Sequence, residues 1–313
     1  MPATLSTSEI LTDVLDAFKV LYPQLKSFST DFSSAGAVLN QTVIARISKV
    51  PAVAAYDPVT GYKNGATDVN TIVEDVPVTI DSHQHVPVKI GYLQSISTKR
   101  DLYSEAIKNI GFALGKAMVD SCRAKVVAAN FTNQTVETTA ATSRDTLSKV
   151  TLAMNIKGAA LLRYGITSSA FYNKLDEDAR ITSGDYHGQQ RSSGPYGHLT
   201  NVAGFQDIWE YPAMPAPANL SAFFYDKRAI VVATRLPADI QNIASSAGIP
   251  KIAAFETVQD PDSGLSLLGI RWMEPGTFDV YVTITILWGS KAGAQGGAAG
   301  SITDYAGHRV VTA

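Results

Sequence analysis

The segment Gly111-Phe112-Ala113-Leu114-Gly115-Lys116-Ala117 places two glycines and a lysine in the order of a phosphate-binding loop. Such a loop cradles phosphates with backbone N–H groups, reaches them with its lysine and holds Mg²⁺ with a Ser or Thr hydroxyl. Here one residue is missing between the glycines, and Ala117 stands where the hydroxyl is needed. The stretch also lies inside a helical pattern rather than after a strand. His83 and His85, two apart on an extended segment, face the same side and have the chemistry to share a metal ion. No cysteine or further histidine stands near them, so surface or hydrogen-bonded histidines are the simpler reading. Asp176, Glu177 and Asp178 are consecutive and diverge around a helix, as a solvated face does. No Gly-x-Ser-x-Gly elbow occurs, and a dispersed Ser/His/Asp triad leaves no local signature. The expectation is no catalytic residue, no cofactor and no metal.

Composition narrows the classes further. Lys plus Arg number 26 against 28 Asp plus Glu, a net charge of −2, which lacks the basic footprint of a nucleic-acid reader. With 45% apolar and 17% charged residues the chain is globular rather than disordered. The single cysteine, Cys122, excludes an internal disulfide framework and reads as a buried thiol. No basic flank precedes an apolar run at the N-terminus, and no apolar stretch approaches the roughly 20 residues of a membrane span.

The elements that would position any site follow from hydrophobic period. Residues 6–22 carry Ser6 and Glu9 at capping-box spacing, then Ile10, Leu11, Val14, Leu15, Phe18 and Leu21 as one stripe, closed by Pro23. This predicts an amphipathic helix, followed by an arm over 24–39 that packs on something else. From Thr42 the period becomes two, and further extended segments are predicted over 70–80 and 85–95. Between them lies a polar stretch with the turn dipeptides Asp57-Pro58 and Asn64-Gly65. A long helix is predicted over 99–129, with Leu102, Ala106, Ile110, Leu114, Met118 and Cys122 four apart. About 30 residues make a rod of roughly 45 Å. Gly111 and Gly115 weaken it by on the order of 1 kcal/mol each relative to alanine, a cost that close packing could offset. Beyond it come helices over 143–155, 169–178 and 237–247, a buried strand over 159–166 and a mobile loop over 181–198. Strand-like runs occupy 202–211 and 222–234. Closing strands over 265–274 and 278–287 are joined at Pro275-Gly276, and a Gly/Ala tract at 292–300 precedes a short tail. The fold class is α+β.

This order, with its local sequences, resembles the Hong Kong 97-type capsid subunit of tailed bacteriophages. Ile47-Ser48-Lys49-Val50-Pro51, with Val76 through Val86, resembles that family's extended E-loop and its return strand. Leu102 to Ala129 resembles the spine helix of the peripheral domain. Leu161-Leu162-Arg163-Tyr164-Gly165-Ile166, leading into Ser169–Leu175, resembles the start of the axial domain. Gly204–Ile208, Ala229–Ala233 and the closing strands complete the likeness.

The resemblance implies an arm at 1–42, an E-loop ribbon and return strand at 43–96, and a peripheral domain with its spine at 97–142. It implies an axial domain at 143–250, and closing peripheral strands with a tail at 251–313. It implies a structural, non-enzymatic coat protein that assembles with copies of itself into hexamers and pentamers of an icosahedral head around double-stranded DNA. Implied partners are portal and scaffolding proteins and a decoration protein, with the virion, and the host cytoplasm during assembly, as location. The chain starts at the arm helix, so a separate scaffolding protein would guide assembly. Tyr56, Asp57, Tyr62, Lys63, Asp68, Glu74 and Asp75 are the candidate inter-subunit contacts of the ribbon. Some relatives crosslink a loop lysine to an asparagine of another subunit; Lys63 has no identifiable partner, and no crosslink is expected. An encapsulin-like compartment, or an α+β enzyme without a recognised motif, are the alternatives.

Overall fold

The computed structural model describes residues 7–48, 53–66, 73–90, 100–182, 197–212, 214, 219–238, 252–273, 276, 279–293 and 306–312. Helix α1 spans Thr7–Leu21, with Glu9 in its first turn and Lys19 in its last, each complementing the helix dipole. Its stripe of Ile10, Leu11, Val14, Leu15 and Phe18 is buried. A short 3₁₀ turn at Pro23–Ser27 follows. The arm therefore packs on its own chain: α1 lies against helix α2, Arg100–Ala124, and against the sheet behind it.

The two glycines that imitate a phosphate loop explain this crossing. A Cβ on Gly111 would stand 2.8 Å from the Val14 carbonyl oxygen and 3.0 Å from the Phe18 nitrogen, and one on Gly115 would enter the Tyr22 ring. Backbones this close need a residue without a side chain. The helix ends at Ala124, five residues before the predicted limit.

Around this pair stands a six-stranded sheet of β1 (Ser29–Ala37), β10 (Ile230–Pro237), β13 (Val280–Ala292), β12 (Ser266–Met273), β11 (Ile252–Gln259) and β4 (Ser82–Ile90). The long β13 organises it. One edge carries β4 along 280–288; the other is shared end to end, by β12 along 280–285 and β10 along 287–292. Ile284 and Ile286 of β13, with Leu267 of β12, join α1 and α2 in the largest core.

The ribbon is formed by β2 (Thr42–Ser48) and β3 (Val73–Thr79), antiparallel and in register from Thr42↔Thr79 to Ser48↔Val73. Its apolar face, Ala45, Ile47, Val76 and Val78, packs on Val231, Ala233 and Leu287 of the main sheet. Gly289 and Gly293 make room, because a Cβ there would meet Thr79 and Ile47 respectively. The root of the ribbon is thus covered within the chain, while the turn beyond it projects.

A second six-stranded sheet runs β5 (Gln134–Val136), β14 (Gly307–Val311), β9 (Leu220–Asp226), β6 (Arg163–Thr167), β8 (Phe205–Glu210), β7 (His198–Val202). One face meets helices α3 (Arg144–Ile156) and α4 (Ser169–Glu177) through Leu147, Val150, Met154, Phe171 and Leu175. The other face, with Ile166, Trp209, Phe223 and Tyr225, joins the α1–α2 core. Ser143 and Ser168 cap α3 and α4, the first in a reciprocal capping box with Thr146. A single turn, α5 (Ala179–Thr182), follows α4.

Several sequence expectations change here. Residues 29–37, read as part of a loose arm, form β1, parallel to β10. The segment after the ribbon, β4, leaves it for the main sheet. The presumed tail contains β14, which pairs with β5 and β9, so the chain returns to the second sheet after the closing strands. Pro237, the first residue of the helix predicted over 237–247, ends strand β10 instead; the helix beyond Ala238, most of the loop at 181–198, Pro275 and most of the Gly/Ala tract lie outside the described residues.

Candidate assembly surfaces

The chemistry-bearing groups of the sequence resolve into structural roles. His83 Nε2 lies 2.9 Å from Thr285 Oγ1, and burial, with His85 adding, lowers its pKa. Asp178 accepts from the Arg144 backbone N–H at 2.8 Å and pairs with Arg180 at 3.1 Å; Lys174 pairs with Glu177. Cys122 is fully buried, which pushes its thiol up to about 12 and keeps it protonated. Among the described residues no group of three His, Cys, Asp or Glu is placed to hold a metal ion. No described helix is long and apolar enough to cross a membrane.

The polar interactions tie elements together. Asp120 on α2 accepts from the Tyr211 hydroxyl at 3.0 Å and pairs with Lys116 at 2.7 Å and Arg123 at 3.3 Å, while the Arg123 guanidinium covers the Tyr211 ring at 4.8 Å. This joins the long helix to the end of β8. Lys19 of α1 reaches Asp260, in the β11–β12 turn, at 2.8 Å. Burial works against the Asp260 carboxylate, but hydrogen bonds from Lys19 and Ser263 outweigh it and bring its pKa to about 2.

Exposed apolar groups are the surfaces left over. At the ribbon turn Val53 is 100%, Val59 92%, Tyr62 97% and Tyr56 63% exposed. The turn is nonetheless built. Asp57 accepts from the Val59 N–H at 2.9 Å and the Thr60 hydroxyl at 2.7 Å, which holds its carboxyl below the usual range. Gly61, at φ 64°, returns its N–H to the Asp57 carbonyl, and the Asn64 amide donates to the Ala55 carbonyl at 2.7 Å. The Tyr56 and Tyr62 rings stand 5.2 Å apart. A hydrogen-bonded turn therefore carries aromatic groups into water, where isolated folding gives no reason for them.

The structure brings Tyr56, Asp57, Tyr62 and Lys63 together at this tip. Glu74 and Asp75 sit in the stem on β3, where Asp75 faces Arg46 across the ribbon at 3.4 Å with both side chains largely in water. Such a pair contributes little stability. Asp68 lies outside the described residues. A second apolar exposure was missed by sequence reasoning. Residues 159–166 read as one buried strand, yet β6 begins only at Arg163, and Leu161 and Leu162 are 87% and 63% exposed. The apolar run hid a boundary that only the pairing with β8 and β9 defines.

No family model matches this sequence, and no curated protein matches it. Solved structures do. The chain is similar to the capsid of Ralstonia phage GP4 (TM-score 0.53, 11% identity, 91% of this chain and 86% of that one). It is similar to the capsid of the cyanophage P-SCSP1u (0.52, 12%, 91% and 86%). It is also similar to a virus-like particle from Pyrococcus furiosus (0.50, 10%, 97% and 98%). At such identities the likeness concerns fold alone, over nearly the whole chain: the α+β architecture described above is the Hong Kong 97-like fold that the order of its sequence segments led us to expect.

Proposed function

We propose that this chain is the major coat subunit of a tailed-phage head, a mechanical part rather than an enzyme. Copies associate as hexamers and pentamers and close an icosahedral shell around double-stranded DNA, held without sequence specificity. One observation carries the reading: a fold shared with shell subunits holds a hydrogen-bonded turn that presents Tyr56, Val59 and Tyr62 to solvent. In a closed assembly each such exposure meets a different surface of the next copy, and many modest contacts add up under symmetry. Tyr56, Asp57, Tyr62, Lys63, Asp68, Glu74 and Asp75 are the proposed contacts of the ribbon. Portal and scaffolding proteins are the further partners proposed for this role, with a decoration protein as an optional addition, assembly in the host cytoplasm and residence in the virion.

The likeness to the Pyrococcus furiosus particle supports a second reading, a protein compartment enclosing other cargo. Both readings require self-assembly and differ in what is enclosed. Deletion of residues 56–68 tests the shared part. The variant is expected to remain folded and soluble, because the root of the ribbon is packed within the chain, and to form no stable shells. Normal shells by electron microscopy would overturn the role of the tip. Nucleic acid in particles recovered from the native source separates the two readings.

A further inference from the structure

The connection between α3 and β6 is expensive for what it holds. Helix α3 ends at Ile156, capped by Lys157, and Gly158 beyond it, at φ 72°, lets the Ala159 N–H fold back to the Met154 carbonyl at 3.0 Å. Arg163, 2% exposed, donates from Nε to the Ala160 carbonyl at 2.7 Å and from Nη2 to the Ala159 carbonyl at 2.9 Å. Asp226, fully buried, accepts from the Ala160 N–H at 3.3 Å and pairs with Arg228. Burying an arginine and an aspartate costs solvation that their bonds must recover. The residues those bonds fix are followed directly by Leu161 and Leu162, 87% and 63% exposed. Leu152 and Ile156, one turn apart on α3, are 60% and 67% exposed. Core packing explains none of these four.

We propose that Leu161 and Leu162, with Leu152 and Ile156 of α3, form a preorganised apolar docking ledge for a second copy of this chain. The inference rests on the self-assembling reading above and adds a contact surface separate from the ribbon. Holding the backbone in advance removes ordering cost on docking. Lys157 is the one charged side chain between Ile156 and Leu162, so the ledge has little to attract a polyanion. Four aliphatic side chains fall well short of the roughly 800 Å² per partner of a stand-alone complex. A contact of that size suits a closed ring, where every copy makes it and no single contact has to hold alone.

The test uses the full chain, with Leu161→Asp/Leu162→Asp compared with Leu161→Met/Leu162→Met, and Leu161→Asn as a milder exposed change. Circular dichroism and thermal midpoints establish folding; sedimentation velocity and electron microscopy read assembly. The aspartate pair is expected to fold as the wild type and to lower the assembled fraction at least tenfold. The methionine pair is expected to assemble normally, and the asparagine variant to fall between. If the aspartate pair does not fold, the asparagine variant decides, and its normal assembly overturns the ledge. Wild-type shells with equal shells from a folded aspartate pair overturn the ledge and leave the coat reading standing. Small wild-type oligomers that never close, abolished by the aspartate pair, overturn the coat reading and leave the ledge. A wild type monomeric at every concentration, and absent from particles recovered from the native source, overturns both.

Discussion

Replacing Gly111 by alanine sets two known effects against each other. In an isolated helix the change stabilises by about 1 kcal/mol. In this fold the new methyl stands 2.8 Å from the Val14 carbonyl oxygen, 3.0 Å from the Phe18 nitrogen and 3.1 Å from the Ala17 Cβ. Two of those atoms are backbone, so no side chain can swing away; α1 must retreat by roughly half an ångström. A gap of that size forfeits about a quarter of the local dispersion energy. Five apolar side chains of α1, each 5% exposed or less, dock across the crossing, and burial of each is worth about 2 kcal/mol. A quarter of that total is about 2.5 kcal/mol. Less the helix gain, Gly111→Ala destabilises by about 1–2 kcal/mol, within the range for overpacked sites. Urea unfolding of the soluble subunit followed by circular dichroism measures it, and hydrogen exchange should show α1 opening before α2. A variant more stable than wild type by about 1 kcal/mol, with unchanged protection of α1, would refute the close-packing account of the crossing.

The Asp260 carboxylate has a folded pKa of about 2 against an ordinary 3.8, so its stabilisation is full above about pH 4 and is lost as pH falls through 2. Asp260→Asn should therefore cost about 2 kcal/mol at pH 7 and much less at pH 2, measured by denaturant midpoints at both. His308 also loses stability as pH falls, but because its neutral form is favoured: burial, with Arg309 adding, lowers its pKa to about 4, so the fold holds it neutral beside Thr135 Oγ1 at 2.8 Å. Below about pH 6.5 the unfolded chain takes the proton first, and stability should fall by about 2–3 kcal/mol between pH 6.5 and 4; His308→Gln should flatten that limb of the profile. Gly289→Ala drives a methyl into the Thr79 carbonyl and should loosen β2–β3 while leaving the second sheet intact, seen as faster exchange confined to the ribbon. Tyr62→Ser, at a side chain 97% exposed, should leave subunit stability within about 0.5 kcal/mol and weaken assembly, read by light scattering.

Helix α1 and the centre of α2 were legible because their period of three to four carries through every turn, and β2 because Val43, Ala45 and Ile47 share one face, with only the exposed Ile44 breaking the polar one. β1 was not: Ser29-Thr30-Asp31-Phe32-Ser33-Ser34 has no alternation, and its strand state comes from pairing with β10, some 200 residues away. β14 was hidden for the same reason, and its Gly307 is there because Phe131 and Phe223 leave no room for a Cβ. At the candidate surfaces, turn dipeptides located the ribbon tip, since Asp57 and Gly61 act locally. The Leu161–Leu162 exposure was unreadable, because the bonds that fix its loop come from Arg163 and from Asp226, 66 positions away from Ala160. Gly111 and Gly115 were seen correctly as costly, but only the position of α1 reveals what the cost obtains.

Strand β14 lies inside the second sheet, with β5 on one side and β9 on the other, and Arg309 bonds to Gln134 across 175 positions. β5 has only three residues and leans on that inserted strand. During synthesis this sheet must therefore wait with an open slot until residue 311 has left the ribosome. A chain still being made lacks its finished second sheet, so the order of translation itself sets the last step at which the subunit becomes whole.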